Sequence, residues 1–343
     1  MNDKSELSLR QLNYYNREET IIPNIPKNML LEVTNICNHS CVFCANSKSS
    51  RKKGYIDEEF AKRILREAYK LGTREVGFYS TGEPLLNKNL EIYIREAKEI
   101  GYEYTYITTN GALLNKERIE SLIQVGIDSI KFSINSGTAQ NYKFIHGRDE
   151  FEKVYDNLKN LYIYRKEKKL KFKIFISCIL TRYTENEKEL VKNIFSAYVD
   201  EIVFLNCKNQ CGVMYEVNGK LTLDSPILKE DNKICPLPFN KLHVTYDGYL
   251  TACCADFQNY LAISDLNKNS LKDAWECKEF QELRKKHLED NLEETLCFNC
   301  LKNTNSEIKP LVSELSTKYN SITFDKSNEI VNRIQLLKNS NCV

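Results

Sequence analysis

The chain alternates short apolar segments rich in β-branched residues with longer segments whose apolar residues recur at helical spacing. The short segments predict strands, and the longer ones predict amphipathic helices, several of which end near a glycine suited to a helix C-terminus. Strands are predicted near residues 29–34, 75–79, 104–108, 129–134, 172–180 and 201–206, and the clearest helices over 57–72, 90–101 and 116–126.

Strands that alternate with helices in this way predict a parallel sheet with right-handed crossovers. Six repeats predict an α/β fold, an incomplete (β/α)6 TIM-like barrel in residues 28–215. In such barrels the chemistry lies at the carboxyl ends of the strands. The expected flanking parts are an N-terminal extension over 1–27, a small cysteine-rich domain with a β-hairpin and helices over 216–305, and a tail over 306–343 with a helix near 327–338.

The composition is that of a globular protein, with 42% hydrophobic and 28% charged residues. This balance excludes a disordered or collagen-like chain. The net charge of +2 argues against a protein that binds nucleic acid or a membrane surface through a large cationic field. No apolar run reaches membrane-spanning length and the N-terminus lacks signal-peptide features, so the sequence predicts a cytoplasmic protein without a membrane partner.

The chain contains 13 cysteines, and this odd number in a protein expected to be cytoplasmic favours metal ligation or redox chemistry over disulfides. Cys37, Cys41 and Cys44 follow the first predicted strand at C-x3-C-x2-C spacing. Three thiolates on one loop can ligate three irons of a 4Fe–4S cluster and leave the fourth iron open for a small molecule. The alternative is a structural zinc site completed by His39 or a distant cysteine.

A second set of cysteines lies in the smaller predicted domain and consists of Cys235, Cys253, Cys297 and Cys300. Asp247-Gly248 predicts a hairpin turn that brings the flanking cysteines together, and an earlier linker or small hairpin is predicted around Asn218-Gly219. Four thiols form a closed set that suits either zinc or a fully ligated iron–sulfur cluster.

The first cysteine motif, C-x3-C-x-aromatic-C with Phe43 at the aromatic position, resembles the signature of the radical S-adenosylmethionine superfamily. The resemblance implies that Cys37, Cys41 and Cys44 ligate a 4Fe–4S cluster whose open iron binds S-adenosylmethionine. Reduction of that cluster then cleaves the cofactor to a 5′-deoxyadenosyl radical.

The segment from Ser80 to Pro84 is similar to the GGEP element of the same family, with Thr81 where glycine is usual. Glu83 is expected to accept hydrogen bonds from the cofactor ammonium, while Gly82 allows close backbone approach and Pro84 fixes the turn. The resemblance adds further candidate cofactor-binding residues at the ends of later strands, namely Asn110, Ser133, Asn135 and Thr181.

The second set resembles the SPASM/twitch extensions of this family, whose C-x9–15-G-x4-C element is matched by Cys235, Gly248 and Cys253. No cysteine lies in residues 301–341, where the longer SPASM form requires more of them. The resemblance therefore implies one auxiliary 4Fe–4S cluster.

The predicted reaction is hydrogen abstraction from an unactivated C–H bond, followed by oxidation through the auxiliary cluster or by epimerisation through a thiol hydrogen donor. Cys207 and Cys211 are the candidate donors, and Arg148 is a candidate cation for a substrate carboxylate. A flavodoxin- or ferredoxin-type protein is the expected electron donor.

The expected substrate is a carbohydrate or aminocyclitol, and the alternative is a ribosomally synthesised peptide. About 27 residues precede the first predicted strand, which is too few for a leader-binding domain. An alternative of another class is a non-catalytic scaffold in which both cysteine sets bind zinc.

Overall fold

The computed structural model describes residues 20–224, 234–317 and 329–340, and within them nine strands form a single sheet. The strands are β1 Asn28–Leu31, β2 Glu75–Gly77, β3 Tyr104–Thr109, β4 Ser129–Ser133, β5 Lys173–Leu180, β6 Glu201–Asn206, β7 Leu242–Val244, β8 Tyr249–Thr251 and β9 Ala262–Asp265. Their order across the sheet is β6-β5-β4-β3-β2-β1-β7-β8-β9.

Strands β1 to β6 pair in parallel, each with its neighbour in the chain. Helices cross over between them, as the alternation of patterns predicts, and the incomplete TIM-like barrel is confirmed. The helices of this part are α1 Glu58–Lys70, α2 Leu90–Ile100, α3 Lys116–Gln124, α4 Ala139–His146, α5 Phe151–Glu167 and α6 Lys188–Phe195.

The ends of these helices follow local sequence signals. Asp57 and Asn115 accept hydrogen bonds from the backbone N–H groups of Phe60 and Arg118 and so cap α1 and α3. Gly101 ends α2 with a φ of +112°, a conformation that glycine adopts without strain.

The cysteine-rich part continues the same sheet, because β7 pairs in parallel with β1. Strands β8 and β9 then add antiparallel. The hairpin at Asp247-Gly248 is confirmed: Gly248 has a φ of +95° and its N–H donates to the carbonyl oxygen of Thr245 at 3.0 Å. The helices here are α8 Leu237–Asn240, α9 Leu271–Trp275, α10 Lys278–Leu288 and α11 Leu296–Lys302.

The hairpin or linker predicted around Asn218-Gly219 is wrong, since these residues lie inside helix α7, Tyr215–Leu221. Val217 and Leu221 are buried on one face of this helix, and the Asn218 N–H donates to the carbonyl oxygen of Met214 at 2.7 Å. Burial of a helically spaced apolar pair has overridden the local turn preference of Asn-Gly.

The helix predicted near 327–338 is present as α12, Glu329–Ser340. It buries Ile330, Ile334 and Leu337 in a cluster that also contains Val42 and Phe43 of the first cysteine loop. Most of the N-terminal extension (1–19) and parts of the tail (318–328 and 341–343) lie outside the described residues.

Among the residues that the structure describes, no helix combines the length and the apolar character needed to cross a membrane.

Candidate active site and metal centres

The first cysteine loop leaves the carboxyl end of β1 and ends in a short 3-10 helix, Ala45–Lys48. Burial, together with the neighbouring Cys44 and Cys37 thiolates, raises the pKa of Cys41 well above its ordinary value. Burial likewise raises the pKa of Cys37 to about 12. Thiols in such surroundings ionise when a cation binds them, so this donor set fits a metal centre.

One group of possible metal ligands lies at the first cysteine loop. Ligand atoms of His39, Cys41 and His146 all lie within 4.8 Å of one another. The thiols of Cys37 and Cys44 are not part of this group. A cluster bound by the loop would instead use one thiolate of Cys37, Cys41 and Cys44 for each of three irons.

Asn46 fixes the cysteine loop against the turn that carries the GGEP-like element. Its side-chain amide donates to the carbonyl oxygen of Asn35 at 2.9 Å and to that of Thr81 at 2.6 Å. Lys53 Nζ donates to the Asn35 carbonyl oxygen at 3.1 Å and to Asn46 Oδ1 at 3.2 Å. Sequence reasoning missed Asn46 and Lys53, because no local pattern marks a residue whose partners lie on distant segments.

Gly82 is required by close packing. A Cβ atom at this position would lie 2.4 Å from the carbonyl oxygen of Thr34 and 2.7 Å from that of Ile36. The next residue, Glu83, donates its N–H to the Ile36 carbonyl oxygen at 2.8 Å. The backbone of the GGEP-like turn thus lies directly on the backbone that leads into the first cysteine.

Glu83 is buried, and burial raises the pKa of its carboxyl to about 7 against the opposing effect of three hydrogen bonds. Oε1 accepts from the hydroxyl of Thr109 at 2.7 Å and from the N–H of Leu85 at 3.1 Å, and Oε2 accepts from the N–H of Asn110 at 2.8 Å. Oε2 retains a lone pair for one further donor, which fits an ammonium group. Pro84 begins the 3-10 turn Pro84–Leu86 that follows.

Thr81 occupies the position where the GGEP element usually has glycine. Its hydroxyl group donates a hydrogen bond to the buried carboxylate of Glu32. Glu32 also pairs with Arg51 at 2.8 Å, and Arg51 pairs with Asp247 of the hairpin at 2.8 Å. This network joins β1, the segment after the cysteine loop and the cysteine-rich part. Glu32 and Arg51 were not predicted as site residues, since a buried ion pair leaves no short-range signal.

Two predicted site residues contact the loop between the first two cysteines. The side-chain amide of Asn110 donates to Asn38 Oδ1 at 2.8 Å, and Arg148 Nε donates to the Asn38 carbonyl oxygen at 2.8 Å. Arg148 therefore lies beside the cysteine loop, where it supports backbone structure.

Asn135 and Thr181 make hydrogen bonds within the protein. Asn135 Oδ1 accepts from the Ile179 N–H at 2.8 Å, and its amide lies 3.2 Å from His146 Nε2. Thr181 bonds with Thr184 at 3.1 Å. By contrast, the hydroxyls of Ser80 and Ser133 have no hydrogen-bond partner within the described parts of the chain, and both residues are partly exposed.

His146, in the same stretch as Arg148, also lies beside the first cysteine loop. The backbone N–H of Asn135 points at His146 Nε2 at 3.4 Å, so Nε2 accepts and Nδ1 carries the proton. Nδ1 lies 3.3 Å from His39 Nδ1 and 3.7 Å from the Cys41 sulfur, and His39 Nε2 pairs with Glu150 at 2.9 Å. The ring nitrogens of both histidines are thus used in hydrogen bonds beside the first cysteine loop.

The cysteines of the second set line one small cavity, and Cys211 lines it with them. Burial raises the pKa of Cys235 to about 12, whereas hydrogen bonds from the thiols of Cys211 and Cys254 lower that of Cys253 to about 6. The two candidate hydrogen donors are therefore separated. Cys211 lies in the second set, and Cys207 packs in the apolar cluster that contains Phe43 of the first loop.

One face of strands β3 and β4 is buried in the core. Thr108, Lys131 and Ser133 form a polar surface on the other face, where the side chains are half-buried. In β3 the residues Thr105, Ile107 and Thr109 are buried, while Tyr106 and Thr108 alternate with them and are partly exposed. Thr108 lies in register with Lys131 of β4, whose ammonium group is 5.9 Å from the centre of the Tyr79 ring. The Thr108 hydroxyl is a buried polar atom without a partner among the described residues.

Two family comparisons match this architecture. Residues 31–194 match the family described as the radical SAM superfamily, and residues 235–301 match the iron–sulfur cluster-binding domain known as SPASM. These domains imply 4Fe–4S clusters and S-adenosylmethionine as cofactors.

Among curated relatives, an S-adenosyl-L-methionine-dependent 2-deoxy-scyllo-inosamine dehydrogenase from Niallia circulans is 26% identical over 274 residues, which is 79% of this chain and 90% of the relative. A probable GTP 3′,8-cyclase from Sulfurisphaera tokodaii is 31% identical over 133 residues, 39% of this chain and 42% of the relative.

Two solved structures share the fold. BtrN in complex with AdoMet and 2-DOIA is 21% identical with a TM-score of 0.56, over 84% of this chain and 99% of that one. Streptococcus suis SuiB bound to the precursor peptide SuiA is 15% identical with a TM-score of 0.61, over 88% of this chain and 77% of that one. Motif, fold and family matches agree, and the chain belongs to the radical SAM superfamily as an enzyme with a C-terminal SPASM-type cluster-binding domain.

Proposed function

We propose that the protein oxidises a small hydroxylated substrate of the carbohydrate or aminocyclitol class. The observation that carries this proposal is the match to the 2-deoxy-scyllo-inosamine dehydrogenase, which spans 79% of this chain and 90% of that enzyme. The match to the GTP 3′,8-cyclase covers only 42% of that relative. It therefore supports radical chemistry in the barrel and gives no support for a particular substrate.

The residues that we propose to bind the cofactors belong to the first cysteine loop and to the strand ends near it. Cys37, Cys41 and Cys44 ligate the first cluster, and Glu83 receives the cofactor ammonium on Oε2. Ser80, Ser133 and Asn110 lie at the ends of successive strands, where hydroxyl and amide groups can bind the polar parts of S-adenosylmethionine. When bound, the first cluster and S-adenosylmethionine supply a 5′-deoxyadenosyl radical, and the auxiliary cluster supplies a one-electron acceptor.

Oxidation of a secondary alcohol to a ketone removes one hydrogen atom, one proton and one electron from the substrate. The hydrogen atom leaves the carbon, and the proton leaves the hydroxyl group. The polar surface of Thr108, Lys131 and Ser133 supports a hydroxylated ring as the substrate, because an ammonium group donates to hydroxyl oxygens and the Thr108 hydroxyl has no partner among the described residues. A flavodoxin- or ferredoxin-type protein is proposed to deliver the initiating electron.

The proposal is tested with cluster-loaded protein, S-adenosylmethionine and a chemical reductant. Substrates are 2-deoxy-scyllo-inosamine, simple sugars and short peptides, each deuterated at candidate carbons. We expect an aminocyclitol or sugar to stimulate formation of 5′-deoxyadenosine, to transfer deuterium into it and to yield a ketone. Stimulation and deuterium transfer from a peptide alone would refute the proposal and favour peptide modification.

A Lys131→Met variant tests whether the polar surface binds the substrate. It is expected to lower substrate-dependent turnover while leaving slow cleavage of S-adenosylmethionine without substrate unchanged. An equal loss of both would show that Lys131 acts on the first cluster or on folding and not on the substrate.

A further inference from the structure

The auxiliary cavity contains one thiol more than a 4Fe–4S cluster needs. Cys211, Cys235, Cys253, Cys297 and Cys300 all line it, together with apolar groups such as Ala252 and Leu261. A cube with four irons takes four thiolates. One of the five cysteines is therefore in excess, and neither the SPASM match nor the C-x9–15-G-x4-C motif includes Cys211, which precedes residue 235.

The backbone around Cys211 has an uncommon conformation. Gln210, Cys211 and Gly212 have φ values of +48°, +58° and +84°, so two successive residues with side chains lie in the left-handed region. Residues with a Cβ atom seldom adopt this conformation, because the Cβ crowds the following carbonyl oxygen. Such strain persists only where surrounding contacts maintain it, and it is frequent at functional sites.

Those contacts come from α11, the helix that carries Cys297 and Cys300. The Asn209 amide donates to the carbonyl oxygen of Asn299 at 3.0 Å and to Asn303 Oδ1 at 2.9 Å. Gly212 packs so closely that a Cβ there would lie 2.7 Å from the Asn299 Cβ. The strained turn is thus fixed directly on the C-x2-C helix.

This turn buries the thiol of Cys211 next to the other cysteines of the cavity. Cys211 is 3% exposed, and its sulfur is in hydrogen-bonding contact with Cys253 and Cys300. We infer that Cys211 is a ligand of the auxiliary cluster and that one of the four motif cysteines is dispensable for ligation. This ligation ties the carboxyl end of β6 to the cluster through a covalent bond. The inference depends on the auxiliary cluster and not on the substrate proposed above.

The test uses a Cys37/Cys41/Cys44→Ala background, so that any iron and any paramagnetic signal come from the auxiliary cluster. Cys211→Ser and Cys211→Ala are compared with single alanine variants at 235, 253, 297 and 300. Cys207→Ser and Cys277→Ser are matched controls for loss of a thiol elsewhere. Iron and sulfide per chain, the EPR spectrum of the reduced cluster and the far-UV circular dichroism are measured for each.

Ligation by Cys211 predicts that Cys211→Ser changes the EPR g-values, because an alkoxide replaces a thiolate on one iron, and that Cys211→Ala changes the iron content or the EPR signal. It also predicts that one variant among 235, 253, 297 and 300 retains the parent iron content and spectrum. The inference is overturned if Cys211→Ser and Cys211→Ala both match the parent while all four motif variants lose the cluster.

Discussion

Substitution of Gly82 by alanine tests how tightly the GGEP-like turn is packed on the cysteine loop. The added Cβ would lie 2.4 Å from the Thr34 carbonyl oxygen, whereas real Cβ atoms essentially never come within 3.0 Å of such a neighbour. The turn must therefore move by about 0.6 Å, away from backbone atoms that cannot rotate aside.

That movement also stretches the hydrogen bond from the Glu83 N–H to the Ile36 carbonyl oxygen, from 2.8 Å towards the limit of a normal bond. Overpacking costs about 1–3 kcal/mol and a weakened backbone hydrogen bond about 1 kcal/mol, so the free energy of unfolding should fall by about 2–4 kcal/mol. Because Glu83 moves with the turn, we expect the affinity for S-adenosylmethionine to fall at least about tenfold, the equivalent of 1.4 kcal/mol.

The assay combines urea unfolding with calorimetric titration of S-adenosylmethionine into cluster-loaded protein. Gly219→Ala is the matched control, because its Cβ has no atom within 4 Å and the residue lies inside α7. This control should stabilise the protein by about 0.5–1 kcal/mol. If Gly82→Ala is as stable as the parent and binds the cofactor within twofold, the described packing of the turn is incorrect.

Three further predictions concern the network around the turn. Arg51→Met should lower the free energy of unfolding by about 3–5 kcal/mol in urea denaturation, because it leaves the buried carboxylate of Glu32 without its cation; a loss below 1 kcal/mol would contradict this. Thr81→Val should be less stable than Thr81→Ser, which keeps the hydroxyl that donates to Glu32, and equal stabilities would refute that role. The folded-state pKa of Glu83, about 7, lies above its ordinary value of 4.5. The folded chain therefore holds this proton more tightly, and stability of the metal-free protein should fall by up to about 3 kcal/mol as the pH rises from 4.5 to 7. Glu83→Gln should flatten this dependence, and an unchanged slope would show that another group causes it.

The sequence predicted the elements whose signals are local. Strands β1 to β6 were predicted because each is a short apolar segment between helical patterns, and the Asp247-Gly248 hairpin because this pair favours the turn. The thiol spacing of the first loop is a local signal of the same kind, and the cluster chemistry that it predicts agrees with the radical SAM family match. The Asn218-Gly219 turn failed, since burial of Val217 and Leu221 outweighed a local preference.

The features that were missed depend on contacts between distant segments. Pairing of β7 with β1 merges the cysteine-rich part into the barrel sheet, although more than 200 residues separate Leu30 from His243. Cys211 joins the second cysteine set only because its loop docks on α11, and no spacing rule relates it to Cys297. Long-range packing of this kind has no periodic signature in the sequence.

We propose two separate clusters, a radical-generating one on Cys37, Cys41 and Cys44 and an auxiliary one in the cysteine-rich part. The most direct test measures iron and acid-labile sulfide per chain after anaerobic reconstitution, in the wild type and in the Cys37/Cys41/Cys44→Ala variant. Two clusters predict about eight irons per chain, falling to about four in the variant. Negligible iron with stoichiometric zinc in the wild type would contradict the account.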